Sequence, residues 1–97
     1  MPGWILESQT EPIVTLRLPH GTVKTVGRTA RADFILEAAL VSRLHCRLTA
    51  DGSDQLVVED LDSTNGLFVN AVRAKRAVLN EGDVVSIGRV DLAVRRA

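Results

Sequence analysis

The residues able to do chemistry in this 97-residue chain gather in three polar segments. They are Gly27-Arg28-Thr29-Ala30-Arg31-Ala32-Asp33, Val41-Ser42-Arg43-Leu44-His45 and Asp60-Leu61-Asp62-Ser63-Thr64-Asn65-Gly66. Catalytic and metal chemistry fail on spacing. Ser42 and His45 are three positions apart, but at a strand entry they point in different directions, and no oxyanion-loop signature accompanies them. Asp60, Asp62 and Thr64 alternate as calcium ligands do. An EF-hand loop begun at Asp60 needs Gly at its sixth place and Glu at its twelfth, where Asn65 and Ala71 stand instead. Two histidines and one cysteine, widely separated, make no zinc site. No glycine-rich nucleotide loop opens a helix. The expectation is a non-enzymatic chain with no catalytic residue, no metal and no cofactor.

The same segments suit anion recognition. Arg28 follows Gly27 at the end of one extended run, and Ser42-Arg43 precede another. If these loops meet, they offer two guanidinium groups, a hydroxyl and loop N–H groups, a set that fits a tetrahedral dianion such as a phosphate ester. Hydrogen bonds to charged groups contribute about 1.5–3 kcal/mol each. Two or three of them, with contacts from Asn65, reach micromolar affinity, roughly −8 kcal/mol, after ordering costs. The competing reading makes Arg28, Arg31 and Arg43 solvated surface arginines, the usual fate of that residue. Spacing alone leaves both standing.

The elements that must position these loops read as strands. Ile13–Leu18 puts Val14, Leu16 and Leu18 on one face; His45–Ala50 puts Cys46, Leu48 and Ala50 inward with Arg47 and Thr49 outward. Gln55–Glu59 and Val90–Arg95 repeat the alternation, and shorter runs lie at Val23–Val26, Phe34–Leu36, Leu67–Val69 and Val84–Ile87. Period-two alternation is the pattern of a half-buried sheet. Turn residues at His20-Gly21, Asp51-Gly52, Asn65-Gly66, Glu81-Gly82-Asp83 and Gly88 separate the runs. Glu37–Leu40 is read as loop. The expected class is all-β, a sandwich or barrel, with Phe34 and Phe68 in its core and Trp4 packed at its edge.

Ninety-seven residues, 45% of them hydrophobic, provide one small domain with a packed interior. Twelve basic residues, ten of them arginine, balance twelve acidic ones. Zero net charge and three aromatic residues argue against a nucleic-acid binder that relies on bulk charge and base stacking. A single cysteine, Cys46, excludes an internal disulfide. No apolar run is long enough for a spanning helix, and Met1-Pro2-Gly3-Trp4 lacks the character of a signal peptide. A cytoplasmic domain without membrane or nucleic-acid partners is expected. A nuclear location, and a place within a larger multidomain chain, stay open.

Four motifs in order resemble the forkhead-associated (FHA) domain family: Gly27-Arg28; Ser42-Arg43-Leu44-His45; Ser63-Thr64-Asn65-Gly66 with Leu67-Phe68-Val69-Asn70; and Asn80-Glu81-Gly82-Asp83 through Gly88. The match runs from about Val23 to the C-terminus. The resemblance implies a two-sheet β-sandwich whose loops at one end bind a phosphothreonine peptide, recruiting proteins phosphorylated by a Ser/Thr kinase. It implies that Arg28 and Ser42 hold the phosphate, with Arg43 as a further phosphate or peptide contact. Asn65 would bond the peptide backbone, and Thr64 would shape the site. Gly27, His45 and Gly66 would be architectural. The alternative is a phospho-independent interaction scaffold on the same fold. Two positions depart from the family pattern: Leu67 stands where Thr is frequent after Asn-Gly, and Ala71 stands where Gly is frequent after Asn70. The second leaves the shape of that turn open, because Ala disfavours positive φ. The cluster Arg73, Lys75 and Arg76 is either a solvated hairpin or a patch that favours acidic peptide residues or an acidic partner surface.

Overall fold

Strands are the regular elements of the computed structural model, which describes residues 3–52 and 54–97. The strands are β1 (Gly3–Ser8), β2 (Thr15–Pro19), β3 (Thr22–Gly27), β4 (Phe34–Ile35), β5 (Cys46–Ala50) and β6 (Leu56–Asp60). After them come β7 (Leu67–Val69), β8 (Val72–Arg73), β9 (Arg76–Leu79), β10 (Val84–Ile87) and β11 (Val90–Arg96). One sheet has the order β2-β1-β11-β10-β7-β8, the other β4-β3-β5-β6-β9. Pairing is antiparallel except between β3 and β4. The expected two-sheet all-β sandwich is present, and Glu37–Leu40 is loop.

The core lies between the sheets. Leu6, Leu16, Leu18, Leu48, Leu56, Val58, Leu67, Leu79, Ile87 and Leu92 are buried there, each contributing about 1.5–3 kcal/mol relative to exposure. Cys46, Leu48 and Ala50 point inward from β5 as their spacing requires.

Two packing expectations are corrected. Trp4 is not an edge residue: β1 lies between β2 and β11, and the indole is buried in the core. The Arg96 guanidinium stands 4.3 Å above its ring centroid. Phe68 is not core. Leu67 and Val69 face the interior, so Phe68 projects from the outer face, half-buried, opposite Ser86 and Arg73.

The turn after β7 settles the question raised by Ala71. Asn70 (φ 50°) and Ala71 (φ 68°) both adopt the left-handed conformation, the geometry whose twist suits a two-residue hairpin. Asn70 holds it by accepting from Val84 N at 2.9 Å through Oδ1 and donating from Nδ2 to Asp83 Oδ1 at 3.0 Å.

The polar loops collect at one end. β3 arrives there, β5 and β7 depart from it, and the β10–β11 turn closes against it. Gly88 (φ 62°) lets that turn approach the loop before β5, where a Cβ would come within 2.9 Å of Val41 Cγ2. At the other end β1 begins and β11 finishes, and Ala97 N donates to Gly3 O at 3.0 Å.

Candidate functional site

His45 ties the site loops together. Its side chain is fully buried. Nδ1 accepts from Ser42 N at 3.1 Å, and Nε2 lies 2.8 Å from Gly66 O. A carbonyl only accepts, so the ring carries its proton on Nε2. One imidazole thereby fixes the β4–β5 loop to the β6–β7 loop. His45 N donates to Val26 O and Leu61 N donates to His45 O, which seats β5 between β3 and β6. Ser63 shapes the β6–β7 loop by accepting from Gly66 N at 3.0 Å.

Gly27 and Gly66 are needed for reasons of space and conformation. A Cβ on Gly27 would collide with the carbonyl of Arg43. Gly66 has φ +90°, a conformation glycine adopts without steric cost.

These ties create an open depression of about 340 Å³ lined by Arg28, Ala39, Leu40, Val41, Ser42, Thr64 and Asn65. Arg28 Nε donates to Val41 O at 2.9 Å, which anchors the guanidinium and leaves its two Nη groups for a ligand. Ser42 Oγ accepts from Thr64 N at 3.0 Å, so its own hydrogen is free to donate. Asn65 Nδ2 donates to Leu40 O at 3.2 Å, leaving Oδ1 free to accept a peptide N–H. A guanidinium fork, a hydroxyl donor and an amide acceptor therefore share one depression. The chemistry available is binding of an oxyanion beside an extended backbone.

The charge pattern agrees. Among the described residues the ion pairs join Arg47 to Glu59, Arg95 to Glu7 and Arg96 to Asp54. Arg28 and Arg43 have no carboxylate partner there. Nearby, Asp33 Oδ2 accepts from Thr25 N at 2.8 Å and from Thr25 Oγ1 at 3.1 Å. The Thr25 backbone bond first, then its hydroxyl, hold the Asp33 carboxyl below its ordinary value.

The FHA domain model matches residues 24–88. The chain belongs to the FHA-domain family. A domain solved in a study of phosphothreonine-dependent FHA domain interactions superposes on this FHA domain with a TM-score of 0.87 and 32% identity, covering 96% of this chain and 95% of that one. The FhaA FHA domain, solved in complex with the intracellular domain of Rv3910, gives 0.86 and 33%, covering 95% of this chain and 99% of that one. The ABC transporter ATP-binding/permease protein Rv1747 of Mycobacterium tuberculosis is 41% identical over 81 residues, 81% of this chain and 9% of the relative. The chain spans less than half the length of the curated relatives it matches.

Of the residues singled out in the sequence, Arg28, Ser42, Thr64 and Asn65 line the depression of this FHA domain. Thr64 contributes its backbone N–H, while its side chain is exposed. Arg43 is exposed and outside the lining. Its carbonyl packs on Gly27 and accepts from Thr29 Oγ1 at 3.4 Å. Three lining residues had no chemical signal in the sequence: Ala39, Leu40 and Val41. Their contribution is largely backbone, since the Leu40 and Val41 carbonyls orient Asn65 and Arg28. Leu40 holds φ 70° and a half-open side chain, an uncommon conformation for a branched residue. Cys46 is no nucleophile. Burial, then the charge of Asp60, push its thiol up to about 12.

Proposed function

We propose that this FHA domain binds phosphothreonine peptides through the depression around Ser42 and serves to recruit proteins phosphorylated by Ser/Thr kinases. Arg28 and Ser42 hold the phosphate, and Asn65 bonds the peptide backbone beside it. Arg43 adds charge at the rim, with Thr64 closing the depression through its backbone. The reaction class is binding without bond breaking, at work in the cytoplasm as one unit of a longer polypeptide.

The observation that carries this reading is the unspent bonding capacity of three polar side chains around one depression. Arg28 and Asn65 are each fixed by a loop carbonyl and Ser42 by a loop N–H, so each is oriented before ligand arrives. Preorganised groups bind with less ordering cost than mobile ones.

The test is isothermal titration of a degenerate phosphothreonine peptide library against its unphosphorylated counterpart. Micromolar binding of the phosphorylated set alone is expected, abolished in Arg28→Ala. Equal binding of both sets refutes the reading. Binding that survives Arg28→Ala replaces it with a phospho-independent scaffold.

A further inference from the structure

Arg73 lies beside the site without belonging to the groups that line it. The β7–β8 hairpin reverses at Asn70-Ala71 and pairs Arg73 with Phe68, while Ala74 N donates to Leu67 O at 2.9 Å. This register lays the guanidinium against Gly66. A Cβ there would stand 2.9 Å from Arg73 Nε, 3.0 Å from Cζ and 3.2 Å from Nη2. The missing side chain of Gly66 is thus the berth of a cation. That berth is one residue past Asn65 and two past the N–H that meets Ser42.

Arg73 is exposed and has no hydrogen bond or ion pair with any described residue. Arg47, Arg95 and Arg96, by contrast, are matched to acids. The next basic residue, Lys75, flanks the same loop, its carbonyl accepting from Asp60 N at 2.8 Å. The rim past Asn65 therefore carries positive charge that the fold does not consume.

We propose that Arg73 is a specificity-determining residue that pairs with a carboxylate of the bound peptide. The proposal rests on the phosphothreonine reading and adds the ligand's context to it. Two residue steps along the loop span at most about 7 Å and the guanidinium stands about 3 Å from the Gly66 berth, so it lies within roughly 10 Å of the Thr64 N–H that meets Ser42. An extended peptide covers about 3.3–3.6 Å per residue. The carboxylate belongs about two to four residues from the phosphothreonine. A guanidinium stays charged at every working pH and grips a carboxylate with two parallel bonds.

The experiment uses a fixed phosphothreonine peptide in which each flanking position is, in turn, Ala, Glu or Lys. Affinities are measured for the wild type, Arg73→Ala and Arg73→Glu, with urea midpoints confirming that all three fold. In the wild type, Glu at one position two to four residues out strengthens binding about two- to fivefold, the scale of a rim ion pair in water. Arg73→Ala loses that gain while binding the all-Ala peptide as before, and Arg73→Glu prefers Lys at the same position. An equal Glu preference in wild type and Arg73→Ala overturns the proposal, because it assigns the effect to diffuse charge. So does no Glu preference at any position. In both cases phosphorylation-dependent binding persists, so the site reading stands. Failure of every phosphorylated peptide to outbind its unphosphorylated form overturns both.

Discussion

Replacing His45 by alanine tests whether one imidazole holds the site together. The ring is fully buried and joins two loops through bonds of 3.1 and 2.8 Å. Its removal orphans Ser42 N and Gly66 O. A buried backbone group left unpaired costs about 1–3 kcal/mol, so two cost about 2–6 kcal/mol, with the emptied volume adding to this unless water fills it. Water entering from the half-buried Ser42 side moderates the loss, and about 3 kcal/mol is expected. A domain of this size has about 5–15 kcal/mol in total, so the variant folds with a melting temperature about 12–24 °C lower. Urea unfolding followed by fluorescence of the single buried Trp4 measures it. Phosphopeptide affinity falls as well, because Ser42 and the Asn65 loop lose their common anchor. A loss below about 1 kcal/mol at unchanged m-value would refute the assignment of His45 as the tie.

Ser42→Ala removes the proposed donor to the phosphate and the acceptor for Thr64 N. Calorimetry with a phosphothreonine peptide is expected to show a loss of about 1.5–3 kcal/mol, the range for bonds to charged groups. Ala71→Gly relieves an exposed alanine at φ 68°. The strain of about 1–2 kcal/mol outweighs the extra freedom of glycine in the unfolded chain, about 0.4–1 kcal/mol, so the urea midpoint rises. A lower midpoint contradicts this account of the turn. Asp33 has a depressed value in the folded state, so its contribution is complete above the unfolded value of 3.8 and is lost as pH falls through the folded one. The stability difference between wild type and Asp33→Asn should hold constant at neutral pH and shrink below 3.8. A difference that grows on acidification reverses the sign argued here.

The sequence was most informative where one face of a strand is wet. Cys46–Ala50 and Leu92–Val94 alternate because their outward neighbours meet solvent. β1 was illegible for the opposite reason. Trp4 and Leu6 face the core, but Ile5 between them is also buried, on the outer face beside Arg17 and Arg95, and three apolar residues in a row show no period. β8 and β9 are short and carry Arg73 and Arg76, so their composition reads as a solvated turn although cross-strand pairing orders them. Phe68 deceived by residue type; its two neighbours set the face it occupies. In the site, Arg28, Ser42 and Asn65 were visible because side-chain chemistry marks them. The Leu40 and Val41 carbonyls were not, since every residue has one and only the tertiary path aims it. Arg73 at Gly66 follows from hairpin register, which no local spacing records.

The bond from Ala97 N to Gly3 O puts both ends of the fold at the pole opposite the depression. A tether attached at either end, or at both, leaves the mouth facing outward. The domain can be carried as a pendant head on a flexible leash or threaded between two neighbours, with no rearrangement of its loops. In either setting the leash sets how concentrated a phosphorylated target on the same assembly appears to the mouth. Occupancy then depends on linker reach as much as on the contacts within the depression.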